Sequence, residues 1–291
     1  MSRLIAVAAD GVRLHVADHG PRDGPPVVLV HGWSLSGAAW GGTPDTLAAA
    51  GHRVVALDLR GHGHSDKPAG GYDAGRLAAD VTAVLDALDL DDVALVGWSI
   101  GGLVAARAAL DAPERIGRLV LVAASGAAAA RTAGYPFGPP ADAVLPHLLA
   151  AEGDGPLRPA ARRDALANCF AAPPPAALLD RLLDISLRTP THAAAACLRT
   201  LLLTDLSAEL PLLRVPVTHI AGATDPSVSL KGVRWAAGVT GSQVVTLDCA
   251  HYPMHELPDA FAAALLSACG PTTPAALPDR TPTTLNQGTP A

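Results

Sequence analysis

Residues 93–103, VALVGWSIGGL, constrain this chain more than any other stretch. Four β-prone residues, Val93 to Val96, run into Gly97-Trp98-Ser99-Ile100-Gly101, and an alanine-rich apolar stretch with helical character follows over 102–110. The pattern predicts a buried strand, a tight turn and a helix, with glycines two before and two after Ser99 leaving room for the bend. Such a turn holds the Ser99 hydroxyl out of the sheet. The helix N-terminus then offers unpaired N–H groups and positive partial charge where an oxyanion would form. Ser99 therefore reads as a nucleophile, with the Ile100 amide as one oxyanion donor.

Other buried runs fall into register with this one. Residues 4–16 read as a hairpin turning at Asp10-Gly11. Val27-Val28-Leu29-Val30 is a continuous apolar run suited to a central parallel strand, and it ends in His31-Gly32-Trp33-Ser34. In a serine hydrolase that loop supplies the second oxyanion donor, the Trp33 amide. Further strands are expected at 54–57, 119–122, 215–220 and 244–247, with a helix capped by Asp73 before the Ser99 strand and a closing helix over 258–268. Alternating strands and helices predict an α/β fold with a doubly wound, mostly parallel sheet.

The alternation stops at about Gly126. Over 126–213 four apolar helical stretches (142–151, 158–170, 175–188 and 192–203) follow one another without a convincing strand. This block reads as a helical cap inserted in a core made of 1–125 and 214–270, expected to shape the substrate pocket. Residues 271–291, rich in Pro and Thr, read as a disordered tail.

Composition closes off several classes of function. A net charge of -6, with no basic run, argues against nucleic acid or an anionic membrane as partner. No stretch is apolar for long enough to span a bilayer, and the N-terminus lacks a signal-peptide pattern, so a soluble cytoplasmic protein is expected. The four cysteines, Cys169, Cys197, Cys249 and Cys269, show no close pairing and read as buried thiols. His62 and His64 alternate in a glycine-rich loop and read as loop histidines rather than metal ligands. His255-Glu256 does not complete a zinc motif, because Asp259 occupies the last position; neither metal nor cofactor is indicated.

Asp225, after the strand at 215–220, and His251, after the strand at 244–247, would join Ser99 at the C-terminal edge of the sheet. Asp205 and Asp248 compete with Asp225, and His255 competes with His251; His219 reads as a strand histidine with its hydrogen bonds satisfied. The chain order Ser-Asp-His matches that of the α/β-hydrolase superfamily. HGWSLSG, DLRGHGHSDKP, GWSIGG, GATD and CAHYPMHELPDAF resemble its motifs over residues 4–269. The likeness is greatest to the branch of small capped esterases that holds the pimeloyl-carrier-protein methyl ester esterases and the non-haem haloperoxidases or perhydrolases. Two positions depart from the pattern: Ala250 stands where glycine is usual, and Pro226 directly follows the acid.

The resemblance implies hydrolysis of an ester, thioester or lactone through an acyl-enzyme, with Trp33 and Trp98 lining the substrate pocket. The same triad serves C–C hydrolases acting on diketones, and the fold also occurs in non-catalytic binding proteins. A carboxylate nucleophile, as in haloalkane dehalogenases, is excluded by Ser99. An acyl carrier is a further partner expectation, resting on the cap arginines Arg158, Arg162, Arg163, Arg181, Arg188 and Arg199. Oligomeric state is not encoded in any pattern of this kind.

Overall fold

The structure, a computed structural model, describes residues 2–153 and 155–270. In chain order the elements are β1 (Ser2–Val7), β2 (Arg13–His19), β3 (Pro26–Val30), α1 (Thr43–Ala49), β4 (Arg53–Leu57), α2 (Ala74–Ala87), β5 (Val93–Trp98), α3 (Ile100–Asp111) and β6 (Ile116–Val122). There follow α4 (Ala141–Gly153), α5 (Arg158–Ala167), α6 (Ala176–Leu187), α7 (Thr191–Leu203), β7 (Val217–Gly222), α8 (Leu230–Thr240), β8 (Gln243–Leu247), α9 (Pro253–Glu256) and α10 (Pro258–Cys269). The eight strands form one sheet in the order β1-β2-β4-β3-β5-β6-β7-β8. The hairpin β1–β2 and the β2–β4 contact are antiparallel, and the remaining pairs are parallel.

The period of two along each strand explains the two cores. Val28, Val30, Val55, Leu57, Leu95 and Leu121 point to the side covered by α2 and α3. Val27, Leu29, Val54, Ala56, Val96 and Val122 point to the other, against Trp40, Trp98, Phe261 and Leu265. Because β3, β4 and β5 are buried on both faces, they need apolar residues at every position, which is why they read as unbroken runs. Asp73 caps α2 as expected, accepting from the Arg76 amide at 2.9 Å.

The four helices α4–α7 lie between β6 and β7, and α5 and α6 place Leu166, Leu179, Leu182 and Ile185 against the second core. Five elements are not anticipated by the sequence pattern: α1, α8, α9 and the short 3₁₀ turns at Gly37–Trp40 and Leu210–Leu212. They are short or interrupted by glycine or proline, so no long periodic stripe marks them. The tail expected at 271–291 lies outside the described residues. Among those residues no helix is long and apolar enough to cross a membrane.

Candidate active site

Parallel pairing sets the site. Val30 lies beside Gly97 in the β3–β5 register, so the loops that leave these strands, at His31 and Ser99, emerge side by side. A Cβ placed on Gly32 would lie 3.4 Å from the Ser99 Cβ, which measures how closely the two turns approach.

Ser99 has φ 57° and ψ −121°, a conformation that L-residues with side chains seldom adopt and that costs about 1–3 kcal/mol. Its surroundings enforce the conformation. The Ser99 amide donates to the Val122 carbonyl at 3.0 Å and its carbonyl accepts from the Gly102 amide at 2.9 Å. Gly97 and Gly101 are needed for space: a Cβ on Gly97 would lie 2.2 Å from the Gly101 carbonyl oxygen, and one on Gly101 would lie 2.2 Å from that of Val30. Ile100 begins α3, so its amide has no intrahelical acceptor. The Trp33 amide likewise donates to no backbone carbonyl among the described residues.

The loop after β3 is anchored by His31. Its Nδ1–H donates to the Gly32 carbonyl at 2.8 Å and its Nε2 accepts from the Leu59 amide at 3.1 Å. Complete burial pushes its pKa below the usual histidine range, in keeping with a neutral ring that both donates and accepts.

Asp225 and His251 are brought together. His251 Nδ1 lies 2.8 Å from Asp225 Oδ2, in a pair whose side chains are 8% and 2% exposed. The other Asp225 oxygen accepts from the amides of Ser227, at 2.8 Å, and Val228, at 3.0 Å. Pro226 therefore fits within the turn that the carboxylate folds around itself, since the amide it lacks is not one the turn uses. Ala250 fits as well, fully buried, with its amide turned to Glu256 at 3.1 and 3.2 Å. Among the described residues Ser99 Oγ and His251 share no hydrogen bond, and such contacts are commonly long before substrate binds.

The competing residues are directed elsewhere. Asp205 accepts from the Ser207 amide, Asp248 is exposed, and His255 binds the Ala39 carbonyl at 2.8 Å. His219 sits in β7 with Nδ1 3.3 Å from the Ala124 carbonyl, but its Nε2 has no partner among the described residues, so the expectation of a fully satisfied histidine fails there by one bond. Burial lowers its pKa to about 4. Among the described residues no group of three or more His, Cys, Asp or Glu side chains is arranged to hold a metal ion.

Two expectations need correction. Trp98 is 1% exposed and packs in the core between Trp40 and Tyr252, because strand alternation turns residue 98 away from the face on which Ser99 opens. Its indole N–H donates to the His251 carbonyl at 3.0 Å, so it braces the histidine loop instead of lining a pocket. Trp33 packs against Tyr72, Ile100, Ala193 and Cys197, and its Nε1–H donates to the Ala194 carbonyl at 3.0 Å. A cavity of about 70 Å³ beside Ser99 is lined instead by Leu103, Ala124, Ala128, Tyr135 and Leu201, among others. Arg162 is also misplaced by the carrier expectation. It is 1% exposed and paired with Glu152, so it presents no charge to a partner surface, and Arg163 is paired with Asp180.

One positioning group has no signal in the residue types alone. The Glu256 carboxylate accepts from the amides of Ala250, Tyr252 (3.0 Å) and Ala171 (2.8 Å), tying both flanks of His251 to the segment that follows α5. That segment also accepts the His251 amide on the Cys169 carbonyl at 3.0 Å and stacks Phe170 on Tyr252, centroids 4.3 Å apart.

Sheet order, the strained turn at Ser99 and the strand-end residues together define a class, and the comparison with known proteins agrees. Residues 25–258 match the alpha/beta hydrolase fold family, and the chain belongs to it. Over 117 residues it is 45% identical to a non-heme chloroperoxidase of Streptomyces lividans, a match covering 40% of this chain and 42% of that protein. The chain spans less than half the length of curated relatives it matches. Solved structures align over far more of the molecule. An esterase from Exiguobacterium antarcticum superimposes with a TM-score of 0.87 at 26% identity, covering 92% of this chain and 99% of that one. The enol-lactonase of Burkholderia xenovorans gives 0.79 at 26% identity, covering 91% and 98%.

Proposed function

We propose that the protein is a serine hydrolase that cleaves a carboxylic ester, thioester or lactone, with Ser99 as nucleophile, His251 as base and Asp225 as its orienting acid. The observation that carries this reading is the Asp225–His251 pair, which lies at the same sheet edge as the strained Ser99 turn. Esterases and an enol-lactonase among its structural neighbours support the reaction class.

In this mechanism His251 Nε2 takes the Ser99 proton as Oγ forms a bond to the substrate carbonyl carbon, and the carbonyl π electrons move onto oxygen. The Trp33 and Ile100 amides hold that oxyanion. Collapse of the adduct expels the alcohol, thiol or ring oxygen, which receives the proton from His251 and leaves the acyl group on Ser99. Water, deprotonated by His251, attacks the acyl carbon and returns the Ser99 hydroxyl with release of the acid. Asp225 accepts from Nδ1–H throughout, so that Nε2 is the basic nitrogen and the imidazolium is stabilised.

The helices α4–α7 act as a cap in this reading. A cavity of about 70 Å³ holds the equivalent of about five waters at about 15 Å³ each, which favours a short acyl chain. Four free cysteines agree with a reducing, cytoplasmic setting. The test is burst-phase hydrolysis of p-nitrophenyl esters from acetate to octanoate. The native protein is expected to show a burst that is largest for the shorter chains, and Ser99→Ala and His251→Ala to lose about 10⁴-fold or more in kcat. Turnover that survives Ser99→Ala overturns the reading.

A further inference from the structure

The loop after β3 contains a second residue in the left-handed region: Ser34, at φ 61°, fully buried. For a serine this conformation persists only where neighbours over-determine it. Here the neighbours come from the cap. Thr189 Oγ1–H donates to the Ser34 carbonyl at 2.9 Å, and Ser186 Oγ shares a hydrogen bond of 2.7 Å with Ser34 Oγ. Ser186 is in turn held by Arg162, whose Nη1 donates to its carbonyl at 2.9 Å and its hydroxyl at 2.5 Å.

The same Arg162 guanidinium lies over the Trp33 ring, 4.5 Å from its centroid, while α7 accepts the Trp33 indole N–H on the Ala194 carbonyl. Glu152 of α4 anchors the guanidinium through both carboxylate oxygens, and Arg158 joins Glu152 to the Thr189 carbonyl. Contacts from three cap helices, α5, α6 and α7, and from Thr189 thus converge on two consecutive core residues, Trp33 and Ser34. The Trp33 amide is the oxyanion donor of the mechanism above.

We propose that the cap is a clamp on the oxyanion loop: Arg162, Ser186 and Thr189 are positioning residues that hold Trp33 and Ser34, and through them the Trp33 amide, in the geometry that meets the developing oxyanion. The inference rests on the serine-hydrolase reading. It assigns the cap a part in transition-state stabilisation that is separate from enclosing substrate. A cap that is unseated releases the left-handed turn at Ser34 and the amide beside it, so turnover depends on the seating of the cap even where the substrate touches none of these side chains.

The test uses Thr189→Val, which keeps the shape of the side chain and removes the hydroxyl, and Ser186→Ala, both in the full chain. Each is assayed for kcat and KM on the best p-nitrophenyl ester and for inhibition by an aryl trifluoromethyl ketone, whose adduct places an oxyanion in the same position. Each variant is expected to lose about tenfold in kcat with KM within about twofold, and to bind the ketone weaker by the same factor. Native kcat and native ketone affinity in folded Thr189→Val overturn the clamp, as does a rise in KM with kcat unchanged. Ser99→Ala separates the two levels: if it abolishes turnover while Thr189→Val leaves it intact, only the clamp fails. If the native protein has no turnover, or Ser99→Ala retains it, the hydrolase reading falls and the clamp with it.

Discussion

Ser99 and Ser34 occupy neighbouring turns at the ends of adjacent strands, and both are left-handed at φ values of 57° and 61°. They are held there by different means. The Ser99 turn is imposed by backbone packing within the core: glycines at 97 and 101 admit carbonyl groups that any Cβ would strike, and one hydrogen bond to β6 and one from the first turn of α3 pin the serine. The Ser34 turn is imposed from outside by hydroxyls and a buried guanidinium from α5, α6 and the residues that follow α6. One turn is specified by steric exclusion and the other by polar contacts between distant segments. The first has a short sequence signature; the second has no local one.

The largest effect should come from breaking the steric side. Gly101→Ala places a Cβ 2.2 Å from the Val30 carbonyl oxygen and 2.6 Å from that of His31, both backbone atoms that cannot move without parting α3 from β3. The expected outcome is a loss well above the roughly 1–3 kcal/mol of ordinary overpacking, seen as loss of soluble folded protein and of cooperative urea unfolding. A folded, active Gly101→Ala protein would show that the turn is not sterically specified.

On the polar side, Arg162→Met removes the guanidinium that binds both oxygens of Glu152, whose side chain is 4% exposed, and leaves it only the single contact from Arg158. Breaking one half of a buried pair costs about 3–5 kcal/mol, whereas replacing both halves by apolar groups of similar size is close to neutral. Arg162→Met should therefore lower the urea midpoint sharply, and Glu152→Met in the same chain should recover more than half of the loss. Equal destabilisation in the single and double variants would mean that packing, not charge pairing, holds the clamp.

Acid should act on the core through its buried neutral histidines. His219 has its pKa lowered to about 4 by burial, below the roughly 6.5 of an unfolded histidine. Between these values the unfolded chain binds the proton and the folded chain does not, so unfolding free energy is full above pH 6.5 and falls as the pH drops towards 4. The difference of about 2.5 units corresponds to about 3 kcal/mol. His62, lowered to about 3 by burial first and by His31 next, extends the loss to lower pH. Urea titrations from pH 7 to pH 4 should show this slope, and it should flatten in His219→Gln. An unchanged slope would remove His219 from the acid response.

Much of the architecture is legible before any coordinates. Unbroken apolar runs mark β3, β4 and β5 because a strand buried on both faces admits no polar residue, and α4–α7 lie within a few residues of their periodic stretches. The turn at Ser99 is legible because steric exclusion leaves glycine as the only residue at fixed spacings. Strand-end placement likewise points to Asp225 and His251 as the candidate acid and base, since the edge of a parallel sheet gathers the residues that follow each strand.

Other features depend on contacts between distant segments. Trp98 stands next to Ser99 in sequence and yet turns into the core to hold the His251 carbonyl, a residue 153 positions away. Arg162 reads as one of several surface cations of a helix, but it lies buried against Glu152, Ser186 and Trp33. Glu256 looks like any polar residue in a loop, although its two oxygens gather three amides around the histidine. The sequence by itself determined the periodic elements, the glycine-bounded turn and the chain order of the reactive groups, because these depend on local sterics and on a repeat of two or 3.6 residues. Which polar side chains are buried, what they pair with and how α5–α7 meet the loop after β3 were decided only in the tertiary structure, because those energies arise between groups whose separation along the chain carries no period.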